Sequence, residues 1–341
     1  MTRHLAWMPL VAGIVGTFVM AQLTAGAAER AASIDYAFVE RPSGLPDEFI
    51  ATAGVKLKFL AITALDGNRI DAALWQPDGK AAAATTLLVS VHGSGSSYVK
   101  PPIGFLGSGL AAKGYGSLAI NTRQHDDRVN TDNFFDVRRD IEAAVYAARA
   151  LGYRALVLHG HSLGNIQVQF YAANNWDADI KAAILTGAFA NLPWKSRHLL
   201  VQNEDNFRAL NEAAVKALRE GRTADVLPVR MHWISGQDVP VTAQHFLTYR
   251  TEASSTADGT YWIRRVPRPI LLARDAGDAI VQAFEPVMLL SAATSAGSLV
   301  PSIKYVLLPN PKGSSADAHG FVDNKQALID AIAAWLTEQR L

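Results

Sequence analysis

The stretch ALVLHGHSLGNIQVQFYAA, residues 155–173, decides how this chain folds. Its opening run, residues 155–159, is short and apolar, as a buried strand is, and residues 166–173 read as a helix. Between them lies Gly160-His161-Ser162-Leu163-Gly164, a turn with glycine two places before and two places after a serine. A serine hydroxyl is a weak nucleophile. It becomes useful when a sharp strand-to-helix turn exposes it to a base and to backbone N–H groups that face a developing oxyanion. The glycines relieve the crowding that such a turn creates.

Outward from this turn, strand-like and helix-like segments alternate, the pattern of a mostly parallel sheet covered by helices. On the N-terminal side, residues 55–63 and 70–75 flank Asp66-Gly67-Asn68 and predict an antiparallel hairpin at one edge. Residues 86–91 and 117–120 predict central strands. Val137, Ile141, Val145 and Ala148 recur at helical spacing, so residues 134–151 predict an amphipathic helix ended by Gly152. On the C-terminal side come strands at 182–186, 270–273 and 302–308, a helical stretch at 284–293 and a terminal helix over 322–339. The alternation stops between Phe189 and Trp262, where a helical segment at 203–219 sits among Trp194, Trp233, Phe246 and Tyr249. An insertion of that size between two strands predicts a cap over the sheet, about 189–262.

Composition bounds the partners. Thirty-two basic against 31 acidic residues leave a formal charge of +1, so no global field draws the chain to nucleic acid or anionic lipid. With no cysteine, disulfides, a thiol nucleophile and thiolate metal sites are excluded. Arg3 and His4 precede an apolar run from Leu5 to Ala21, and Ala25-Gly26-Ala27 offers small residues where a signal peptidase cuts. Residues 1–27 therefore read as a signal peptide and 28–341 as the mature domain, periplasmic or secreted and free of the membrane. An uncleaved anchor is the alternative.

The chain from Val55 to Leu341 resembles the α/β-hydrolase superfamily. The resemblance implies an eight-stranded, mostly parallel sheet flanked by helices with a cap insertion, and a catalytic order of nucleophile, acid, histidine. Ser162 matches the nucleophile. His319, in Ala318-His319-Gly320-Phe321 after the last strand, matches the terminal histidine loop. In Arg274-Asp275-Ala276-Gly277-Asp278-Ala279-Ile280-Val281, the spacing fits Asp278 as the acid, with Asp275 as the alternative; Asp238, in a similar but earlier loop, is a third. His92-Gly93-Ser94-Gly95 resembles an esterase oxyanion loop, which implies the Ser94 and Leu163 N–H groups as oxyanion donors and His92, Gly93 and His161 as residues touching substrate. Asn121-Thr122-Arg123-Gln124-His125-Asp126 resembles, with Gln124 in place of glycine, a segment of bacterial members distantly related to siderophore-ester hydrolases.

The resemblance thus implies a serine hydrolase that cleaves a small carboxylic ester through an acyl-enzyme, with no cofactor and no metal. An amidase or aminopeptidase, a thioesterase and a C–C bond hydrolase are the alternatives on the same fold, and a noncatalytic binding protein is the alternative outside enzymes. The cap aromatics suggest an apolar or aromatic acyl or alcohol group.

Overall fold

A computed structural model describes residues 34–46, 49, 52–200, 203–232, 237–251, 256–310 and 312–341. The signal-peptide reading of residues 1–27 lies outside them. In chain order the strands are β1 (Asp35–Val39), β2 (Val55–Thr63), β3 (Arg69–Pro77), β4 (Thr86–Val91), β5 (Gly116–Ile120), β6 (Ala155–His161), β7 (Ile180–Thr186), β8 (Met231–His232), β9 (Asp238–Val239), β10 (Ile270–Asp275) and β11 (Ile303–Leu308). The helices are α1 (Ile103–Ala112), α2 (Val137–Ala150), α3 (Leu163–Asn174), α4 (Leu192–Lys195), α5 (Glu204–Arg219), α6 (Ala243–His245), α7 (Gly259–Ile263), α8 (Phe284–Ala293), α9 (Ala316–His319) and α10 (Lys325–Glu338).

Nine strands form the main sheet in the order β1-β2-β3-β5-β4-β6-β7-β10-β11. From β5 to β11 every pairing is parallel, while β1, β2 and β3 run antiparallel at one edge. The fold is that of the α/β hydrolases. The ninth strand, one more than expected, is β1, whose residues are exposed or only half-buried and therefore carry no apolar alternation to read.

Side-chain alternation along the parallel strands feeds two separate cores. On one face Leu87, Val89, Leu156 and Leu158 meet Ile141 and Val145 of α2 and Val168 and Tyr171 of α3. On the other, Leu88, Val157, Ile184 and Leu271 meet Leu110 of α1 and Leu328, Ile332 and Trp335 of α10. Each fully buried aliphatic side chain of this kind contributes about 1.5–3 kcal/mol. Helix α1 was not legible in advance, because Gly104, Gly107 and Gly109 lower its helix propensity. Packing requires them: a Cβ on Gly107 would lie 2.4 Å from the Trp75 ring, and one on Gly109 2.3 Å from Ile329.

Residues 187–269 depart from the sheet between β7 and β10 and hold α4 to α7 and the β8–β9 ribbon. Phe207, Leu210, Met231, Val241 and Phe246 give this insertion a core of its own. It is joined to the loop after β5 by buried polar bonds: Asp132 accepts from His245 Nδ1 at 3.0 Å and from the Tyr249 hydroxyl at 2.6 Å, and Thr242 N–H donates to Asn130 O at 3.1 Å.

Candidate active site

Ser162 joins β6 to α3 with φ +53° and ψ −121°, a strained conformation for a residue with a side chain. Three bonds hold it there. Its N–H donates to Thr186 O at 3.0 Å, and the Asn165 side-chain amide bridges Ser162 O and Thr186 O at 2.9 Å each. Neither flanking glycine could carry a side chain: a Cβ on Gly160 would lie 2.4 Å from Gly164 O, and one on Gly164 2.4 Å from Val91 O. The loop after β4 rests directly on the serine, since a Cβ on Gly93 would sit 2.8 Å from Ser162 Cβ.

The loops after β10 and β11 are zipped together beside this turn. Ser315 N–H donates to Gly277 O at 2.9 Å and Ala279 N–H to Ser315 O at 3.2 Å, and the Ser315 hydroxyl caps α9 through Ala318 N–H. His319 thereby meets Asp278, its Nδ1–H donating to Asp278 Oδ2 at 2.8 Å. The other carboxylate oxygen accepts from Ile280 and Val281 N–H at 2.8 and 2.9 Å. Burial pushes the Asp278 carboxyl up, but the His319 hydrogen bond and charge, with those two amides, outweigh it and hold the group below the usual carboxylate value. The imidazole's second nitrogen, Nε2, is buried without a hydrogen-bond partner among the described residues.

Asp275 and Asp238 have other duties. Asp275, fully buried at the end of β10, accepts from Gly277 N–H, Asn310 Nδ2 and Asn324 Nδ2, so it ties the acid loop to the chain beyond β11. Asp238 pairs with His232 in the β8–β9 ribbon. Arg274 donates to the carbonyls of Asp278 and Val281 at 3.0 and 2.9 Å, and Lys195 of α4 donates to Ile280 O at 2.8 Å while pairing with the buried Glu285. The acid loop is thus held from the sheet and from the insertion.

Three buried histidines surround the turn. His92 differs from the sequence expectation: it does not touch the cavity but lies fully buried beneath the loop, donating from Nδ1 to Gly93 O at 2.7 Å and accepting at Nε2 from Thr122 N–H at 3.1 Å. Its neighbourhood explains the placement, since both ring nitrogens are spent on shaping the loop. His159 bridges Ser90 and Thr186 hydroxyls. Burial depresses His92 to about 4 and His159 to about 3. His161 donates from Nδ1 to Thr186 O at 3.1 Å and lies 4.8 Å from the His319 ring; burial, reinforced by His319, holds it well below its ordinary value. Gly187 makes room for both rings, because a Cβ there would lie 3.0–3.1 Å from each.

Ser162, His319, Gly93, Ser94 and His161 line one cavity of about 250 Å³, completed by Ser96, Pro101, Ala316, Asp317, Gly320 and Val322. Leu163 opens α3, where the first N–H groups have no intrahelical acceptor. None of the insertion's described aromatic residues lines this cavity; Tyr249 and Trp262 pack with Phe134 and Phe170 instead. The segment from Asn121 also serves as a buttress: Asn121 Oδ1 accepts from Tyr98 N–H, and Arg123 is clamped to Asp140 and Asp66. A larger cavity of about 500 Å³ lies at the antiparallel edge, lined by Phe38, Phe49 and Phe59 among others, far in the sheet order from the serine turn.

Sequence reasoning missed Asn165, Gly187, Arg274 and Lys195. Only Asn165 left a signal, a polar residue beside the serine turn in the first turn of the helix.

The sequence model of the family described as alpha/beta hydrolase fold matches residues 86–223. No curated protein matches the chain. Among solved structures, Est1E from Butyrivibrio proteoclasticus with ferulic acid bound is 20% identical, covers 80% of this chain and 96% of its own, and superposes with a TM-score of 0.60. A hypothetical protein of Pseudomonas aeruginosa is 15% identical over 88% of this chain and 98% of its own, with a TM-score of 0.61. The esterase domain of a Rhodothermus marinus protein is 20% identical over 84% and 98%, with a TM-score of 0.51. At these identities the likeness establishes the fold.

Proposed function

We propose that this chain, a member of the α/β-hydrolase superfamily, is a serine hydrolase that cleaves a small carboxylic ester through an acyl-enzyme. The observation that carries the reading is His319, fixed by Asp278 on one nitrogen and unpartnered on the other, in the cavity that also exposes Ser162. A hydrogen bond from Nδ1–H to a buried carboxylate sets the tautomer a general base needs, with its lone pair on Nε2. That Nε2 makes no bond to Ser162 in the free site is usual, since such contacts tighten when substrate binds.

In this reading Ser162 Oγ attacks the ester carbonyl and its proton passes to His319 Nε2. The tetrahedral oxyanion faces the N–H groups of Leu163 and Ser94. His319 then returns the proton to the leaving oxygen, the alcohol departs, and the acyl group remains on Ser162. A water, deprotonated by His319, attacks the acyl carbon; collapse of the second intermediate releases the acid and restores Ser162. Asp278 stays ionised and stabilises the imidazolium at both stages. The esterase domain among the similar structures favours an ester over an amide or thioester. We further propose export to the periplasm or beyond after loss of residues 1–27.

The test is hydrolysis of 4-nitrophenyl acetate beside the matching anilide and thioester, with labelling by a fluorophosphonate. The ester should be cleaved fastest, and labelling should vanish in Ser162→Ala. A folded protein that takes no label would overturn the reading; faster cleavage of the anilide or thioester would reassign the bond.

A further inference from the structure

The reaction cavity itself carries information about the substrate. At about 250 Å³ it is smaller than the roughly 300–1,000 Å³ of ordinary ligand pockets, so it suits an ester with few heavy atoms. Its walls come from the loop after β4, Pro101 and the α9 segment, and the described residues among them include no aromatic carbocycle. The aromatic group suggested by the insertion's composition has no wall here to stack on.

Among the described residues one carboxylate lines the cavity: Asp317, two residues before His319. Its carboxylate forms no ion pair or hydrogen bond among the described residues, whereas Lys312, the nearest cation in sequence, is engaged by Asp323. His161 adds a second acceptor. With its Nδ1–H given to Thr186 O, the remaining Nε2 can only accept while the ring is neutral, and burial keeps it so. Asp317, exposed at the mouth, keeps its water and acts through its charge alone, whereas the buried His161 Nε2 loses what solvation it has when substrate enters unless the substrate brings a donor.

We propose that the substrate is a short ester carrying an ammonium group, and that Asp317 is the residue that selects it. This rests on the serine-hydrolase reading of the same site. Asp317 lies at the solvent-exposed rim, where attraction between unit charges at about 4 Å is close to its value in water, so the discrimination it supplies is about fivefold. The charge reads the substrate at a distance; Ser162 and His319 then act on the carbonyl as they would for any ester.

The test compares β-alanine methyl ester, methyl butyrate and methyl 3-hydroxypropanoate at pH 7, three near-isosteric acyl groups ending in ammonium, methyl and hydroxyl. The wild-type kcat/KM should favour the ammonium ester over methyl butyrate about fivefold, and 0.5 M NaCl should erode the preference. In Asp317→Asn the ratio should fall to about one, through the KM of the ammonium ester. Preference for methyl butyrate or the hydroxy ester would overturn the proposal, as would an equal loss for all three esters in Asp317→Asn, which would mean that Asp317 acts on His319 and not on substrate. If no ester is turned over while a fluorophosphonate still labels Ser162, the substrate class is wrong and the nucleophile stands. If labelling also fails, both readings fall.

Discussion

Replacing Lys195 by methionine tests whether the insertion holds the acid loop in place. The Lys195 ammonium and the Glu285 carboxylate are 3% and 1% exposed, and the ammonium also donates to Ile280 O, two residues beyond Asp278. Glu285 in turn accepts from Gln282 and Ala190 N–H. Lys195→Met keeps the volume but strands a buried anion, which costs about 3–5 kcal/mol. For a domain of this size 1 kcal/mol shifts the melting temperature by about 2–4 °C, so the midpoint should fall by roughly 10 °C. Lys195→Met/Glu285→Gln removes both charges and leaves the amide oxygen to serve one of the two N–H groups; more than half of the loss should return. The Ile280 carbonyl stays unanchored in both variants, so kcat for 4-nitrophenyl acetate should remain depressed, about tenfold, in the double variant that is otherwise stable. Thermal unfolding by circular dichroism beside steady-state kinetics separates the two effects. A single variant destabilised by less than 1 kcal/mol, or a double variant with full stability and full kcat, would refute the reasoning.

Other substitutions divide the roles of neighbouring groups. Asp278→Asn should lower kcat on the order of 10⁴-fold with little change in melting temperature, because it removes the partner that fixes the His319 tautomer; Asp275→Asn should chiefly lower stability, by about 1–3 kcal/mol, because its one oxygen can still accept from Gly277 and Asn310 while its new NH2 faces the buried Asn324 donor, and equal kcat losses without a stability difference would contradict the assignment. Gly187→Ala places a methyl group 3.0–3.1 Å from the rings of His161 and His319 at φ +56°, so kcat should drop at least tenfold together with about 1–2 kcal/mol of stability, and unchanged kinetics would show that the rings are not confined as described. Acid should weaken the fold: His92 and His159 are depressed to about 4 and 3, so the unfolded chain takes up protons that the folded chain refuses, and stability present above about pH 6.5 is lost as the pH falls. By pH 5 each contributes a loss of about 2 kcal/mol, and urea midpoints that do not move between pH 7 and 5 would count against these burials.

Where a continuous apolar run or a flanking turn marks an element, the sequence located it closely. Residues 55–63, 86–91 and 284–293 coincide with β2, β4 and α8, and the strand–turn–helix around Ser162 follows the reading of residues 155–173. Where tertiary contact overrides local preference it did not. Helix α1 hides behind three glycines, of which Gly104 makes room for Val99 and Phe49, Gly107 for Trp75 and Gly109 for Ile329, and β1 lies exposed at an edge. The acid shows the same division. Spacing alone left Asp278 and Asp275 open, and they separate only because β10 runs on to Asp275 and buries it among Asn310 and Asn324. His92 looked like a substrate contact by its place in the loop, yet Thr122, thirty residues on, turns it inward. The cavity walls join segments near 94, 161 and 317, a convergence that no local pattern encodes.

The central claim is that Ser162 and His319 act as one catalytic unit, and kcat for Ser162→Ala, His319→Ala and the double variant tests it most directly. Residues that work as a unit are strongly non-additive, so each single variant should lose on the order of 10⁶-fold and the double variant no more than either. Losses that multiply in the double variant, or a His319→Ala protein that keeps wild-type turnover, would contradict it.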